Sequence, residues 1–115
     1  MVRDPLVYLE DIALACKRIR EYTSKQTAAE FEGNQLVVDA VLRNLEVIGE
    51  AAKNVPESVR LISRDIDWKR VAGFRDILAH QYFAVNLATV WDIIQTKVDP
   101  LHESVSKLIL HLESK

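Results

Sequence analysis

The last third of the sequence repeats an apolar residue at alternating spacings of four and three residues. These positions, which we call the seam, are Leu87, Trp91, Ile94, Val98, Leu101, Val105, Leu108 and Leu112. Such spacing puts the side chains on one face of an α-helix, because a strand would alternate them between two faces. The seam therefore predicts helix from about Asn86, packed against sister helices of a bundle or against a second chain. Asp99-Pro100 interrupts the seam, and the proline should kink the helix or split it in two.

Glycine and proline are scarce, with three of each among 115 residues. An all-β domain needs a turn about every 8–12 residues, which so few turn-forming residues cannot supply. We therefore expect an all-α fold: one domain over residues 1–115, a bundle of about five helices with a long last helix kinked near Pro100.

Capping residues mark where the other helices begin. The predicted segments are a helix from Asp4-Pro5 to about Thr23, a short one from Thr27 to near Gly33, a long one from Asn34 to Asn54, a short one after Pro56, and one from Trp68, capped by Asp67, to about His80.

The helix predicted from Asn34 to Asn54 carries a polar stripe opposite its apolar face. Glu46 and Glu50 are like charges four residues apart in this stripe, which is mildly unfavourable unless a cation lies between them. Gly49 lies between them and costs about 1 kcal/mol relative to alanine inside a helix. We expect another backbone to approach the helix at Gly49.

The charge of the chain restricts the class of partner. The net charge is −2, which argues against a protein that coats nucleic acid through phosphate neutralisation alone. Residues Arg60 to Arg75 nevertheless form a basic segment, with five basic and two acidic residues. The single cysteine, Cys16, falls on the apolar face of the first helix and is predicted to be a buried thiol. No signal-peptide core and no apolar run of about 20 residues is present, so we expect a cytoplasmic protein without a membrane partner.

The most informative segment is Arg75-Asp76-Ile77-Leu78-Ala79-His80-Gln81-Tyr82. Helical spacing puts Arg75 on the same face as the apolar residues Trp68, Val71, Ala72, Leu78 and Ala79. An arginine in such a position must be paired or must line a cavity, and Glu46 or Asp39 could be its partner. His80 lies about 140° round an ideal helix from Arg75, so the two meet only in a fraying last turn or across an interface.

This segment resembles the R-x-x-x-x-H-x-Y signature of the HEPN ribonuclease toxins, in particular their HepT-like branch. Residues 43–51, Trp68 to Gly73 and Trp91 are also similar to that branch. Asp76 departs from the family pattern, in which a polar residue, often asparagine, follows the arginine. The resemblance implies a homodimer that brings two copies of the motif into one cleft and cleaves RNA without a metal or another cofactor. It also implies the toxic half of a type VII-like toxin–antitoxin pair. The partner would be an MntA-like minimal nucleotidyltransferase antitoxin that transfers AMP to the motif tyrosine.

By position in this sequence, the resemblance makes Arg75 and His80 catalytic and Tyr82 the AMP acceptor. Asp76, Arg43 and Glu46 are possible supporting residues. The chemistry suits these residue types, because histidine exchanges a proton near neutral pH and arginine grips two phosphate oxygens while staying charged. One histidine cannot be acid and base at once, so a dimer that supplies two is chemically sensible.

Other functions stay open on the sequence. The chain could be a catalytically weak protein that binds a nucleotide or docks the nucleotidyltransferase, or a helical dimer without chemistry. Metal sites are not expected, because His80, His102 and His111 form no pair four residues apart. Gly33, Gly49 and Gly73 are too scattered for a phosphate-binding loop.

Overall fold

The computed structural model describes residues 4–76 and 86–114, and this part of the chain is all α-helix and connecting turns. Its helices are α1 (Pro5–Thr23), α2 (Ala28–Glu32), α3 (Gln35–Asn54), α4 (Glu57–Arg60), α5 (Trp68–Ala72), α6 (Leu87–Thr96) and α7 (Val98–Glu113). Residues 74–76 are also helical. The predicted all-α bundle is confirmed.

Most helices begin at the side-chain caps that the sequence predicts. The Asp4 carboxylate accepts a hydrogen bond from the Leu6 amide at 2.9 Å, with Pro5 as the first residue of α1. Asn34, Asp67 and Asn86 cap α3, α5 and α6 in the same way. Each cap satisfies an amide that the first turn of a helix would otherwise leave without a partner.

The core forms where α1 packs against α3 and α7, with α5 on the far end of α3. The seam supplies five buried side chains to this core: Ile94, Val98, Leu101, Val105 and Leu108. Val90, which is not a seam position, is buried beside them. The partners of the seam are thus sister helices of the same chain. Cys16 is buried among them, as predicted, and burial raises the pKa of its thiol to about 12.

The seam divides into two helices at Lys97, three residues before Pro100. Lys97 ends α6, with its amide bonded to the Ile93 carbonyl at 2.8 Å, and precedes the first residue of α7. Pro100 is the third residue of α7, where its missing N–H has no carbonyl to bond within the helix. The proline therefore begins the second helix rather than kinking a continuous one.

The helix predicted from Trp68 to about His80 is wrong in its extent. Helix α5 ends at Ala72, and the Gly73 amide bonds back to the Lys69 carbonyl at 3.0 Å. Phe74 then starts a new helical turn. Its side chain is only 5% exposed, although Phe74 is not among the residues of the predicted apolar face. Helix α5 is thus shorter than predicted, and a separate helical turn at residues 74–76 carries Arg75. Leu78, Ala79 and His80 lie outside the described residues.

None of the described helices is long and apolar enough to cross a membrane.

Candidate functional site

Arg75 lies directly against α3, at the glycine that the sequence singled out. A Cβ atom built on Gly49 would lie 2.6 Å from the Arg75 backbone nitrogen and 2.9 Å from the Arg75 Cβ. The Ala72 carbonyl oxygen would be 3.1 Å away. Only a residue without a side chain allows this approach, so the backbone contact predicted at Gly49 is confirmed.

The Arg75 guanidinium forms an ion pair with Glu50, the next residue of α3. Its Nη1 lies 2.6 Å from Glu50 Oε2, and the two side chains are 43% and 52% exposed. An ion pair this exposed adds little to the free energy of unfolding, so its main effect is to orient the guanidinium. One face of the group is held while the rest remains open to solvent.

The prediction of Glu46 or Asp39 as the partner of Arg75 is wrong. Glu46 Oε2 lies 3.8 Å from Arg43 Nη1, and Asp39 accepts a hydrogen bond from Gln35 Nε2 at 2.7 Å. Helical spacing could not choose among these carboxylates, because the choice depends on where the next segment crosses α3. Glu46 and Glu50 each lie beside a different cation, Arg43 and Arg75 respectively, which offsets the repulsion between the two carboxylates.

Arg43 and Glu46 line a cavity of about 340 Å³ together with Tyr8, Asp11 and Glu50. Arg75 and Asp76 line a different and larger cleft. Glu50 lines the smaller cavity and also pairs with Arg75. Arg43 and Glu46, the supporting residues predicted on α3, share that cavity with Glu50 but do not line the cleft of Arg75.

The larger cleft has a volume of about 910 Å³, and five of its eleven lining residues are cations. We call it the basic cleft, and its charged residues are Lys53, Lys69, Arg70, Arg75 and Lys97 against Asp67 and Asp76. Apolar side chains, including Phe74 and Ile93, form part of its wall. The arrangement can bind an anion that carries more than one negative charge, with apolar contacts beside it.

The basic segment from Arg60 to Arg75 is divided by the fold. Arg60 donates hydrogen bonds to the Val55 and Ala52 carbonyls at 2.9 and 2.7 Å, which satisfies the C-terminal end of α3, and stacks over Trp68. Arg64 lines a cavity beside Arg60 and Trp68. Only the later part of the segment faces the basic cleft, and sequence reasoning missed Lys53 and Lys97, which reach the cleft from α3 and from the α6–α7 junction.

His80 and Tyr82, predicted as catalytic residue and AMP acceptor, lie outside the described residues. Asp76 is exposed at the lining of the basic cleft. Within residues 4–76 and 86–114, no three His, Cys, Asp or Glu side chains are grouped as metal ligands would be.

The chain is similar in sequence to a family of known proteins. The family model described as "Ribonuclease HepT-like" matches residues 12–108, which contain α3, Arg75 and the basic cleft. The chain belongs to the HepT-like ribonuclease family. It is thereby an enzyme of the ribonuclease class, and the family resemblance seen in the motif is confirmed.

Curated relatives agree with that membership. The chain is 36% identical to the "Probable ribonuclease HepT" of Thermococcus cleftensis over 94% of its own length and 98% of the relative. It is 38% identical to a candidate RNase of Methanocaldococcus jannaschii, covering 98% of this chain and 97% of that protein. A longer protein of the same organism is named as a gamma-glutamylcyclotransferase and candidate RNase. That protein is 36% identical, and this chain spans 51% of its length. No solved structure matches the chain.

Proposed function

We propose that this ribonuclease is a metal-independent endoribonuclease that acts as the toxic component of a type VII-like toxin–antitoxin pair. Its substrate is RNA, and its catalytic groups are Arg75 and His80. Membership of the HepT-like family and relatives named as ribonucleases support the substrate class. The motif resemblance supports the toxin role.

One observation carries the catalytic part of the proposal: Arg75 presents its guanidinium at a basic cleft while Glu50 holds one side of it. The Nη1 atom is engaged at 2.6 Å, and the side chain keeps 43% of its surface open. A planar guanidinium oriented in this way can bind two oxygens of a phosphate, and it keeps its charge at any physiological pH. It suits the negative charge that gathers on phosphorus as a phosphodiester is attacked.

His80 supplies the proton transfer in this proposal. A base removes the proton of the 2′-hydroxyl, the 2′-oxygen attacks phosphorus, and the bond to the 5′-oxygen breaks as an acid protonates that oxygen. The products are a 2′,3′-cyclic phosphate and a 5′-hydroxyl. Because one imidazole cannot fill both roles in a single step, we propose a homodimer that places two His80 side chains at a shared cleft. Five of the eight seam side chains are buried within one chain, so we place the dimer interface on another surface.

Tyr82 is the proposed control point. A partner nucleotidyltransferase would transfer AMP from ATP to the phenol oxygen, with loss of the phenol proton and release of pyrophosphate. The product carries a phosphate two residues from His80 and a few residues from Arg75. That phosphate would compete with RNA for the guanidinium. The adenosine would add steric exclusion.

The direct test is cleavage of labelled RNA in EDTA by wild-type protein and by Arg75→Ala and His80→Ala. Arg18→Ala removes an exposed arginine from α1, away from the basic cleft, and is the matched control. We expect both motif variants to lose at least about 100-fold in kcat while the control keeps full activity. Cleavage that needs Mg²⁺ and survives both substitutions would remove the mechanism.

The dimer and the switch have separate tests. Mixed dimers of wild-type and His80→Ala chains should lose most of their activity if each cleft needs two histidines.

After co-expression with the cognate nucleotidyltransferase, intact-mass analysis should show AMP on the wild-type chain and none on Tyr82→Phe. A neutralised toxin without AMP on Tyr82 would mean inhibition by docking alone.

A further inference from the structure

The basic cleft holds more cations than one scissile phosphate requires. We propose, resting on the ribonuclease function above, that Lys53, Lys69 and Lys97 bind the backbone phosphates next to the scissile one. The substrate they select is a single RNA strand of several nucleotides. These three lysines act in binding and leave the chemical step to the motif.

The three lysines come from three separate elements. Lys53 is in the last turn of α3, Lys69 is in α5, and Lys97 joins α6 to α7. All three are exposed, and all line the basic cleft beside Arg75. Only the tertiary fold brings residues 53, 69 and 97 to one surface.

Among the cations that line the basic cleft, these three lysines are the ones without a carboxylate partner in the described residues. In the part of the chain that the structure describes, none of the three forms an ion pair, whereas Arg75 pairs with Glu50 and Arg70 lies 3.9 Å from Asp67. Unpaired like charges around one concave surface repel one another and cost stability. A polyanion bound in the cleft would offset this repulsion, which explains why three unpaired lysines share one surface.

The shape of the groove favours a strand over a single nucleotide. A second cavity of about 340 Å³ shares Asp67, Arg70, Phe74 and Lys97 with the basic cleft, so the two concave surfaces adjoin beside Lys97. The second cavity is also lined by Asp65, and among the described residues it has no cation beyond the Arg70 and Lys97 that it shares with the basic cleft. Phe74 and Ile93 offer apolar wall for a ribose or base. A groove between helices fits one strand, whereas duplex RNA is bound across its broad minor groove.

Salt dependence separates this proposal from a general loss of activity. The substrate is a fluorescein-labelled single-stranded RNA of about twelve nucleotides, compared with its duplex. For single-stranded nucleic acid, the logarithm of the binding constant falls by about 0.7 per unit of log salt concentration for each phosphate neutralised. Fluorescence anisotropy should therefore give a slope of about −3 for these three lysines plus Arg75. Lys69→Gln and Lys97→Gln should each reduce the slope by about 0.7, and the double variant by about 1.4. Lys17→Gln, an exposed lysine of α1, is the matched control and should keep the wild-type slope.

Steady-state kinetics supply the second reading. The lysine variants should raise KM about fivefold or more while kcat stays within about twofold, because the lysines bind without touching the reacting atoms. If RNA binds with the expected dependence of affinity on salt but is never cleaved, the proposed ribonuclease function is contradicted and this inference is supported. Normal KM and slope in the double variant, with cleavage intact, would overturn this inference and keep the function. Loss of nucleotidyltransferase binding alone in that variant would assign the cleft to an acidic protein partner and overturn it equally.

Discussion

The Arg75 backbone crosses α3 directly over Gly49, so closely that a methyl group at position 49 would sit 2.6 Å from the Arg75 nitrogen. The neighbouring residue of α3, Glu50, holds the Arg75 guanidinium at 2.6 Å. Two consecutive residues of α3 thus fix both the main chain and the side chain of the motif arginine. Their separate effects can be measured.

Gly49→Ala should displace the motif segment. Alanine gains about 1 kcal/mol in helix propensity. Forcing a methyl group against a backbone that cannot rotate away costs about 1–3 kcal/mol, so the steric cost should win. We expect a net loss in the free energy of unfolding and at least about a tenfold loss in cleavage, because Arg75 moves off its phosphate. Denaturant unfolding and RNA cleavage measure the two effects.

Gly33→Ala is the comparison for that variant. Gly33 follows α2, away from the basic cleft, and its added methyl group would meet the Ala29 carbonyl oxygen at 3.3 Å, a contact that a small shift relieves. It should leave cleavage unchanged. Full activity in Gly49→Ala would show that the close approach does not position Arg75.

Glu50→Gln should separate orientation from stability. The Glu50–Arg75 pair is about half exposed, so removing it should change the free energy of unfolding by no more than about 1 kcal/mol. We expect kcat for RNA cleavage to fall about tenfold, since the neutral amide holds the guanidinium less firmly. Glu103→Gln removes an exposed pair with Lys107 on α7 and should alter neither quantity. An unchanged kcat in Glu50→Gln would restrict Glu50 to charge balance.

Asp65 joins the loop before α5 to the last helix and should do so in a pH-dependent way. Its carboxylate accepts hydrogen bonds from Ser104 and Ser63, each at 2.7 Å, and these bonds hold the pKa of Asp65 below its ordinary value. Ser104→Ala should lose up to about 1 kcal/mol of unfolding free energy at neutral pH. A carboxyl with a lowered folded pKa stabilises above its unfolded pKa and loses that contribution as pH falls through the folded value. The difference from wild type should therefore shrink below about pH 4. Ser106→Ala on the same helix is the control, and an equal loss there would contradict a specific bond.

Cys16 should be inert in the folded protein and should cost stability in alkali. Burial, with a smaller contribution from Asp99, raises the pKa of its thiol from 9.0 to about 12. A group with a raised folded pKa contributes fully below its unfolded value and loses that contribution as pH rises toward the folded value. The free energy of unfolding should thus decline from pH 9.0 toward pH 12. Cys16→Ala, although less stable throughout, should decline less steeply. Rapid labelling of native Cys16 by a thiol reagent at about pH 8 would contradict the burial.

The sequence by itself determined the helices and one close contact. Helical spacing and side-chain caps are local properties, so α1, α3 and α6 start where Asp4, Asn34 and Asn86 predict. Gly49 revealed a backbone approach because a glycine inside a helix has a cost that some contact must explain. The family, too, was readable from the motif that begins at Arg75. Gly73 directly follows α5, and a glycine at that place is a sequence signal for the end of a helix.

Tertiary structure alone decided which residues share a site. The carboxylate beside Arg75 is Glu50 because the segment after Gly73 crosses α3 at that level, and no spacing within either helix contains this information. Arg60 belonged to the basic segment in sequence but satisfies the end of α3 in space. Lys53 and Lys97 stand far from that segment in sequence yet line the same cleft. Periodicity reports the faces of single helices, whereas a binding cleft is made where separate helices meet, and their packing sets which charges face one another.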